Sequence, residues 1–306
     1  MIFRNIKLQF LSKMISILIP IYNFDVTELV PKLVDQCNKA KILYEIICFD
    51  DGSQPKYKEK NQAILHLMGV NYVELSENFG RSKIRNKLAS VASFDYLLFM
   101  DCDSKVKYAT YIKRYKKEIQ KECEVCYGGR AYKKSKPRAK SKILHWKYGL
   151  NREALSAEKR AKRPYLNFMS NNFLIRTDIF LDIKFDESIE GYGYEDLAFA
   201  ERLKKFDIKI DHIENPLEHL GLEKTSDFLN KTEVGIQNLK NLIKEGKIVE
   251  TRLTKAAYWI DKLGLRAFVF NKLNRREPQI RQNLHSENPS LRQFDFFKLL
   301  YFLNPE

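Results

Sequence analysis

The chain runs to 306 residues, 44% of them hydrophobic and 30% charged, a balance that reads as globular and a length that suits one large α/β domain or a domain with an appendage. No run approaches the roughly 20 apolar residues of a membrane span, so the chain reads as soluble or peripheral. The excess of 54 Lys and Arg over 39 Asp and Glu, a net +15, predicts attraction to nucleic acid, a membrane face or a phosphorylated substrate; no recognition motif accompanies the charge, so nucleic acid is not the expected partner.

Residues 1–13 carry Arg4, Lys7 and Lys13 and no acid, and read as a basic arm or an upstream start ahead of Met14. From Met14 onward, short apolar β-branched runs alternate with amphipathic stretches, the pattern of βαβ units in a largely parallel sheet. It predicts strands over Ile15–Ile19, Tyr44–Phe49, Asn71–Leu75 and Asp95–Met100. Helices are expected over Val26–Asn38, Tyr57–Met68, Arg81–Ala92 and Tyr108–Lys121. Open α/β sheets bind ligands beyond the carboxyl ends of their strands. Here those ends read Pro20, Tyr22 and Asn23, then Asp50-Asp51-Gly52-Ser53, then Glu77-Asn78-Phe79-Gly80, and last Asp101-Cys102-Asp103. Acidic residues also end strands simply as turn formers. Four such ends on one rim favour a site, and the last offers hard oxygen ligands to a divalent cation that could hold a diphosphate.

The five cysteines are scattered and no signal peptide is evident, which predicts a reducing, cytoplasmic setting. Cys123 and Cys126 have metal-ligand spacing but no second pair, and read as buried thiols. Residues 133–163 hold twelve Lys and Arg against Glu153 and Glu158 alone. That segment reads either as a solvated, partly mobile insertion or as a surface for an anionic acceptor or membrane.

A strand follows at Asn172–Arg176, then a short helix near Asp178. In EGYGYEDLAFAERLKKF, Glu190 to Phe206, two glycines mark an aromatic loop, and Glu195-Asp196 open a helix whose apolar side is Leu197, Ala200, Leu203 and Phe206. Acids in a first helical turn ordinarily just suit the helix dipole. Ile208–Ile213 reads as a strand, with His219 beyond it. Helices are expected over Phe228–Glu245 and Arg252–Asn274, and the basic, aromatic stretch 290–303 is expected to meet a bilayer interface.

Taken in order, Ile17-Leu18-Ile19-Pro20-Ile21-Tyr22-Asn23, Phe49 to Ser53, Asn78 to Gly80 with Arg85-Asn86, Phe99 to Asp103, and Gly193-Tyr194-Glu195-Asp196 resemble the family 2 glycosyltransferases, inverting enzymes of the GT-A fold. The resemblance spans about residues 14–225 and is nearest to bacterial enzymes that build surface polysaccharides; the Gly-Tyr-Gly-Tyr-Glu-Asp stretch is also similar to that of galactosyltransferases. It implies a Rossmann-like, mostly parallel sheet flanked by helices, with 14–103 as the nucleotide-binding half, 104–225 as the acceptor half containing the basic insertion 133–163, and 226–306 as a helical extension.

The resemblance also implies roles. Pro20, Tyr22, Asn23 and Asp51 would hold the nucleoside of a UDP-sugar, Asp51 accepting from the uracil imide, and Lys83 and Arg85 would face the diphosphate. Asp101 would meet ribose or metal, Asp103 would be the principal ligand of Mn²⁺ or Mg²⁺, and His219 would complete the metal site. Asp196 would be the general base and Glu195 its positioning neighbour, with Tyr192 and Tyr194 against the acceptor sugar. The expected reaction moves a hexose or N-acetylhexosamine from a UDP-sugar to a hydroxyl of a glycan or lipid-linked saccharide acceptor, on the inner face of the cytoplasmic membrane. The alternatives are a nucleotidyltransferase, against which Pro20 to Asn23 stand in place of a Gly-rich phosphate loop, and a catalytically silent glycan-binding subunit.

Overall fold

The computed structural model describes residues 14–189, 191–247 and 251–305; the basic arm of residues 1–13 lies outside them. Ten strands are present among the described residues: β1 Ile15–Ile21, β2 Tyr44–Asp50, β3 Val70–Glu74, β4 Tyr96–Met100, β5 Ser104–Val106, β6 Val125–Tyr127, β7 Arg130–Ala131, β8 Asn172–Arg176, β9 Ile210–His212 and β10 Leu217–His219. Seven form one sheet in the order β3-β2-β1-β4-β8-β6-β9, and β5-β10-β7 form a second. In the large sheet only β8 runs against its neighbours, so the sheet is mostly parallel.

β1 and β4 are buried on both faces, as near-continuous apolar runs in the middle of a covered parallel sheet should be. Side chains alternate between faces: Ile15, Ile17, Ile19 and Ile21 join one apolar cluster, Leu18 the other. On the second face Phe99 stacks on Phe173, their ring centroids 4.7 Å apart. Register decides where the site lies. Ile21 is level with Asp50, and Asp50 with Glu74, so the loops after β1, β2 and β3 leave from one rim. Antiparallel β8 begins there, with Asn172 level with Met100.

Three expected elements differ. In place of one helix over Tyr57–Met68, Pro55–Asn61 is helical and continues for a single 3₁₀ turn, Gln62–Ile64. Leu65 and Met68 are exposed, so those apolar residues never formed a buried stripe. The helix expected over Arg252–Asn274 is two, Arg252–Lys262 and Arg266–Arg275, because Gly264 adopts a left-handed φ of 68° between them. Phe206 lies past the end of the Glu195–Lys205 helix and is exposed rather than buried with Leu203.

The basic segment 133–163 is folded. It forms a 3₁₀ turn at Lys140–Lys142, helices over Ile143–Tyr148 and Ala157–Ala161, and a π-turn between them at Gly149–Glu153. Leu144 shares an apolar cluster with Phe228, Leu229, Ile280, Leu284, Phe294 and Phe297. The final helix, Leu291–Leu303, thus turns Phe294, Phe297, Leu300 and Leu303 inward. Most of the aromatic face expected to meet a bilayer at 290–303 is spent on this packing. No helix among the described residues is long and apolar enough to cross a membrane.

Candidate active site

Hydrogen bonds knit the strand-end loops together. Asn23, at a left-handed φ of 50°, donates its backbone N–H to Ser53 Oγ (2.8 Å) and accepts from Gln54 N–H through Oδ1 (2.8 Å). It fastens the β1 loop to the β2 loop, while its neighbours Pro20 and Tyr22 line the cleft. Asp50 accepts from Ser53 N–H (2.7 Å) and Tyr72 Oη (3.3 Å). Gly52 has φ 76°, and a Cβ there would lie 2.8 Å from the Glu77 carbonyl carbon, so only glycine fits the turn. Asp51 is buried and accepts from the N–H groups of Phe79 (2.7 Å) and Gly80 (3.1 Å). Burial raises its pKa, with those two donors pulling the other way.

These ends open into a cleft of 440 Å³ lined by Pro20, Tyr22, Asp51, Arg81, Arg85, Asp101 and Asp103, among others. Arg85 is buried and donates Nη2 to Asp101 Oδ1 (2.8 Å), so it acts by holding Asp101. Lys83 does not line this cleft; it lines an adjoining recess with Glu187 that shares Asn78, Gly80 and Arg81 with it. A second guanidinium reaches the cleft from the start of this helix, that of Arg81. It lies 4.5 Å over the Tyr192 ring and contacts Glu195 Oε1 at 3.3 Å.

Asp103 and His219 come together through the small sheet, where β10 pairs antiparallel with β5 and sets His219 level with Ser104. His219 Nε2 is 3.0 Å from Asp103 Oδ2. Burial drives the Asp103 carboxyl upward, but the His219 hydrogen bond and charge, with Arg130 and Arg81 beyond, outweigh it and hold the group well below the usual carboxylate range. Asp103 Oδ1 and His219 Nδ1 are buried without a hydrogen-bond partner. A Cβ on Gly221 would collide with Asp103 Oδ2. A carboxylate beside an imidazole, with the second carboxylate oxygen unsatisfied, fits a divalent cation that would need further ligands from a bound diphosphate. Among the described residues no three of His, Cys, Asp and Glu converge as a self-sufficient metal site.

A second cleft, of 350 Å³, adjoins the first and shares Arg81, Asp101 and Tyr192 with it. Tyr194, Glu195, Asp196, Ser170 and Arg130 line it, and so does Phe168, whose ring is otherwise buried in the core. The Gly191–Tyr194 loop keeps φ positive at Gly191, Gly193 and Tyr194, which turns the chain sharply into the helix that starts at Glu195. Glu195 is buried, and its Oε2 has no hydrogen-bond partner. Asp196 accepts from Ser170 N–H at 3.3 Å. Burial and the adjacent Glu195 charge push its carboxyl up to about 7, Arg85 and Arg81 pulling back.

Among the cleft residues that sequence reasoning did not single out are Arg81, Arg130, Glu223 and Lys231. Arg81 had a signal, since it opens the helix after the Asn78–Gly80 loop. Arg130, Glu223 and Lys231 had none: β7 places Arg130, and the Lys231–Glu223 ion pair reaches the cleft from beyond the strands.

A mostly parallel sheet with two adjoining clefts at its strand-end rim is the architecture of the GT-A fold. The chain belongs to glycosyl transferase family 2, whose model matches residues 16–183. Solved structures support the fold. The crystal structure of S. aureus TarS 1-349 aligns over 94% of this chain and 89% of its own at 18% identity and TM-score 0.51. The mannosyltransferase PcManGT from Pyrobaculum calidifontis, in complex with GDP-Man and Mn²⁺, covers 75% of this chain and 64% of its own at 13% identity and TM-score 0.52. A TarS 1-349 complex with UDP-GlcNAc covers 74% and 67% at 18% identity and TM-score 0.50. Against the longer TarS chain this protein spans 38% of the length. No curated protein sequence matches the chain.

Proposed function

We propose that this glycosyltransferase moves a hexose or N-acetylhexosamine from a UDP-sugar to a hydroxyl of a glycan or lipid-linked saccharide, inverting the anomeric carbon, in the synthesis of a surface polysaccharide. The observation that carries this is the shared wall of Arg81, Asp101 and Tyr192, which lets one donor lie in the first cleft with its sugar in the second. Pro20, Tyr22 and Asp51 bind the nucleoside. Asp101, fixed by Arg85, takes the ribose. Tyr192 and Tyr194 flank the acceptor sugar. Asp196 takes the proton of the acceptor hydroxyl as that oxygen bonds to the anomeric carbon and the bond to the diphosphate oxygen breaks, releasing UDP. Asp103 and His219 would hold Mn²⁺ or Mg²⁺, which neutralises charge on the departing diphosphate. Arg81 faces that charge and can exchange Glu195 for it.

Metal-dependent hydrolysis across a panel of nucleotide sugars tests the reading; no turnover of any donor would move weight to a silent glycan-binding subunit. Gly221→Ala is a sharper probe, because Gly221 keeps an ordinary φ and the new Cβ would collide with Asp103 Oδ2 and crowd His219 Nε2, the two expected metal ligands. It should raise the Mn²⁺ concentration needed for donor hydrolysis by roughly 10–100-fold.

The acceptor side is strongly basic. A trough of 800 Å³ continues from the second cleft through Tyr148, Arg152 and Leu155, and adds Lys159, Lys162, Arg163, Arg252 and Lys298 against the single acid Asp295. Burial, with repulsion from Arg152 and Arg252, lowers the Lys298 amine pKa despite Asp295. Like charges gathered in a concave site favour an acceptor that carries phosphate or carboxylate groups. Lys162→Glu with Arg163→Glu should raise the acceptor KM roughly tenfold, an effect shrinking with added salt, and leave donor hydrolysis unchanged. Equal loss of donor hydrolysis would defeat this assignment.

A further inference from the structure

The helices Arg252–Lys262 and Arg266–Arg275 pack on the final helix and on each other, yet each has a single buried residue, Ala257 and Leu273. Along and beside the turn that joins them stand Tyr258, Trp259, Leu263, Leu265 and Phe268, at 60%, 56%, 67%, 42% and 64% exposure. Five large exposed apolar side chains therefore fall within eleven residues of one helix–turn–helix. The other nine exposed ones among the described residues are spread from Tyr22 to Val234. Single exposed apolar residues need no explanation, whereas a contiguous group does.

The surroundings of the patch say what covers it. Between residues 251 and 276 the only acid is Asp261, and Arg266 pairs with it at 2.8 Å. Lys262 lies 4.9 Å over the Trp259 ring and Lys272 5.9 Å over the Phe268 ring, with Arg275 and Arg276 close by in sequence. Aromatic rings among cations, on an exposed turn, match the headgroup layer of an anionic bilayer: Trp and Tyr sit at that depth, leucines go slightly deeper, and Lys and Arg meet lipid phosphates. A second copy of the chain fits badly, since a symmetric contact would set these cations against themselves.

We propose that the turn between these helices seats on an anionic membrane surface, with Trp259, Leu263 and Phe268 inserted and the neighbouring cations on the headgroups. The first turn of the same pair, Arg252, Leu253 and Ala256, lines the basic trough, so seating would bring the trough mouth toward the bilayer. The association does not depend on the transfer chemistry, and its test reads binding without turnover.

The full chain is floated with phosphatidylcholine vesicles and with vesicles that also contain phosphatidylglycerol. The protein should float with the phosphatidylglycerol vesicles alone, and Trp259 emission should shift to the blue, read against a Trp259→Phe control because Trp146 is the other tryptophan. Trp259→Ser with Phe268→Ser should weaken partitioning at least about tenfold, and Lys262→Glu with Lys272→Glu should abolish the preference for anionic lipid. Donor hydrolysis should stay unchanged in both double variants, which shows that they fold. Wild-type protein that ignores phosphatidylglycerol vesicles would overturn the proposal. So would serine variants that float as well as wild type, or a wild-type dimer that those variants convert to a monomer.

Discussion

Asp196→Asn should lower sugar transfer by roughly 10²-fold or more and leave UDP-sugar binding intact, because it removes the proton acceptor and keeps the shape of the side chain. Isothermal titration with donor separates the two effects. The pH profile gives a second reading. Burial and Glu195 raise the Asp196 carboxyl to about 7, so the group is protonated and useless as a base below that pH and charged above it. Transfer should climb as pH rises through about 7, and the Asn variant should lose this limb. A wild-type profile already flat from pH 5 upward would mean that burial and Glu195 do not hold the carboxyl protonated there; near-normal transfer by the Asn variant would place the base elsewhere.

Arg160→Met should destabilise the protein by about 3 kcal/mol or more, while Lys159→Met, at the preceding position, should stay within about 0.5 kcal/mol. Arg160 is 1% exposed and Lys159 is at the surface. The Arg160 guanidinium donates to the carbonyl oxygens of Leu155, Gly128 (3.2 Å) and Ile213 (2.6 Å), and through Nε to His212 Nδ1 (3.3 Å). Gly129 leaves room for it, since a Cβ there would collide with the guanidinium. Methionine would fill the space, remove the guanidinium donor from the Leu155 carbonyl and leave the Gly128 and Ile213 carbonyls with Asn215 N–H alone. Urea titrations of both variants make the comparison; equal stability would mean that water replaces the guanidinium.

Those two neighbours explain why the basic segment was legible only in part. A run of cations reads as one charged surface, and nothing local distinguishes the arginine that holds β6 and β9 loops together from the lysine beside it. The strand-end chemistry was plainer, because apolar runs set the strands and the polar residues that follow must then emerge at the rim. Even so, position on the rim does not fix direction. Asn23 and Lys83 share loops or helices with cleft residues but turn elsewhere, whereas Arg81 turns in. The membrane-facing expectation shifted for a similar reason. Composition singled out 290–303, yet Phe294 and Phe297 found partners in Leu144 and Phe228, and it is the helix pair broken at Gly264 that leaves its aromatics uncovered.

The Gly191–Tyr194 loop and the start of the helix bearing Glu195 and Asp196 rest on the helix Thr225–Lys244. Gly235 lets Gly193 approach closely, with a Cβ on Gly193 only 3.2 Å from the Gly235 Cα, and Asn238 donates to the Tyr192 carbonyl at 3.3 Å. Leu197 and Ala198 pack against Leu239 and Leu242. A chain trimmed to the sheet and its crossover helices would therefore keep the strand-end rim and lose the packing under Glu195 and Asp196; a fragment that keeps this support reaches at least through Leu242, well past the point where the parallel strands end.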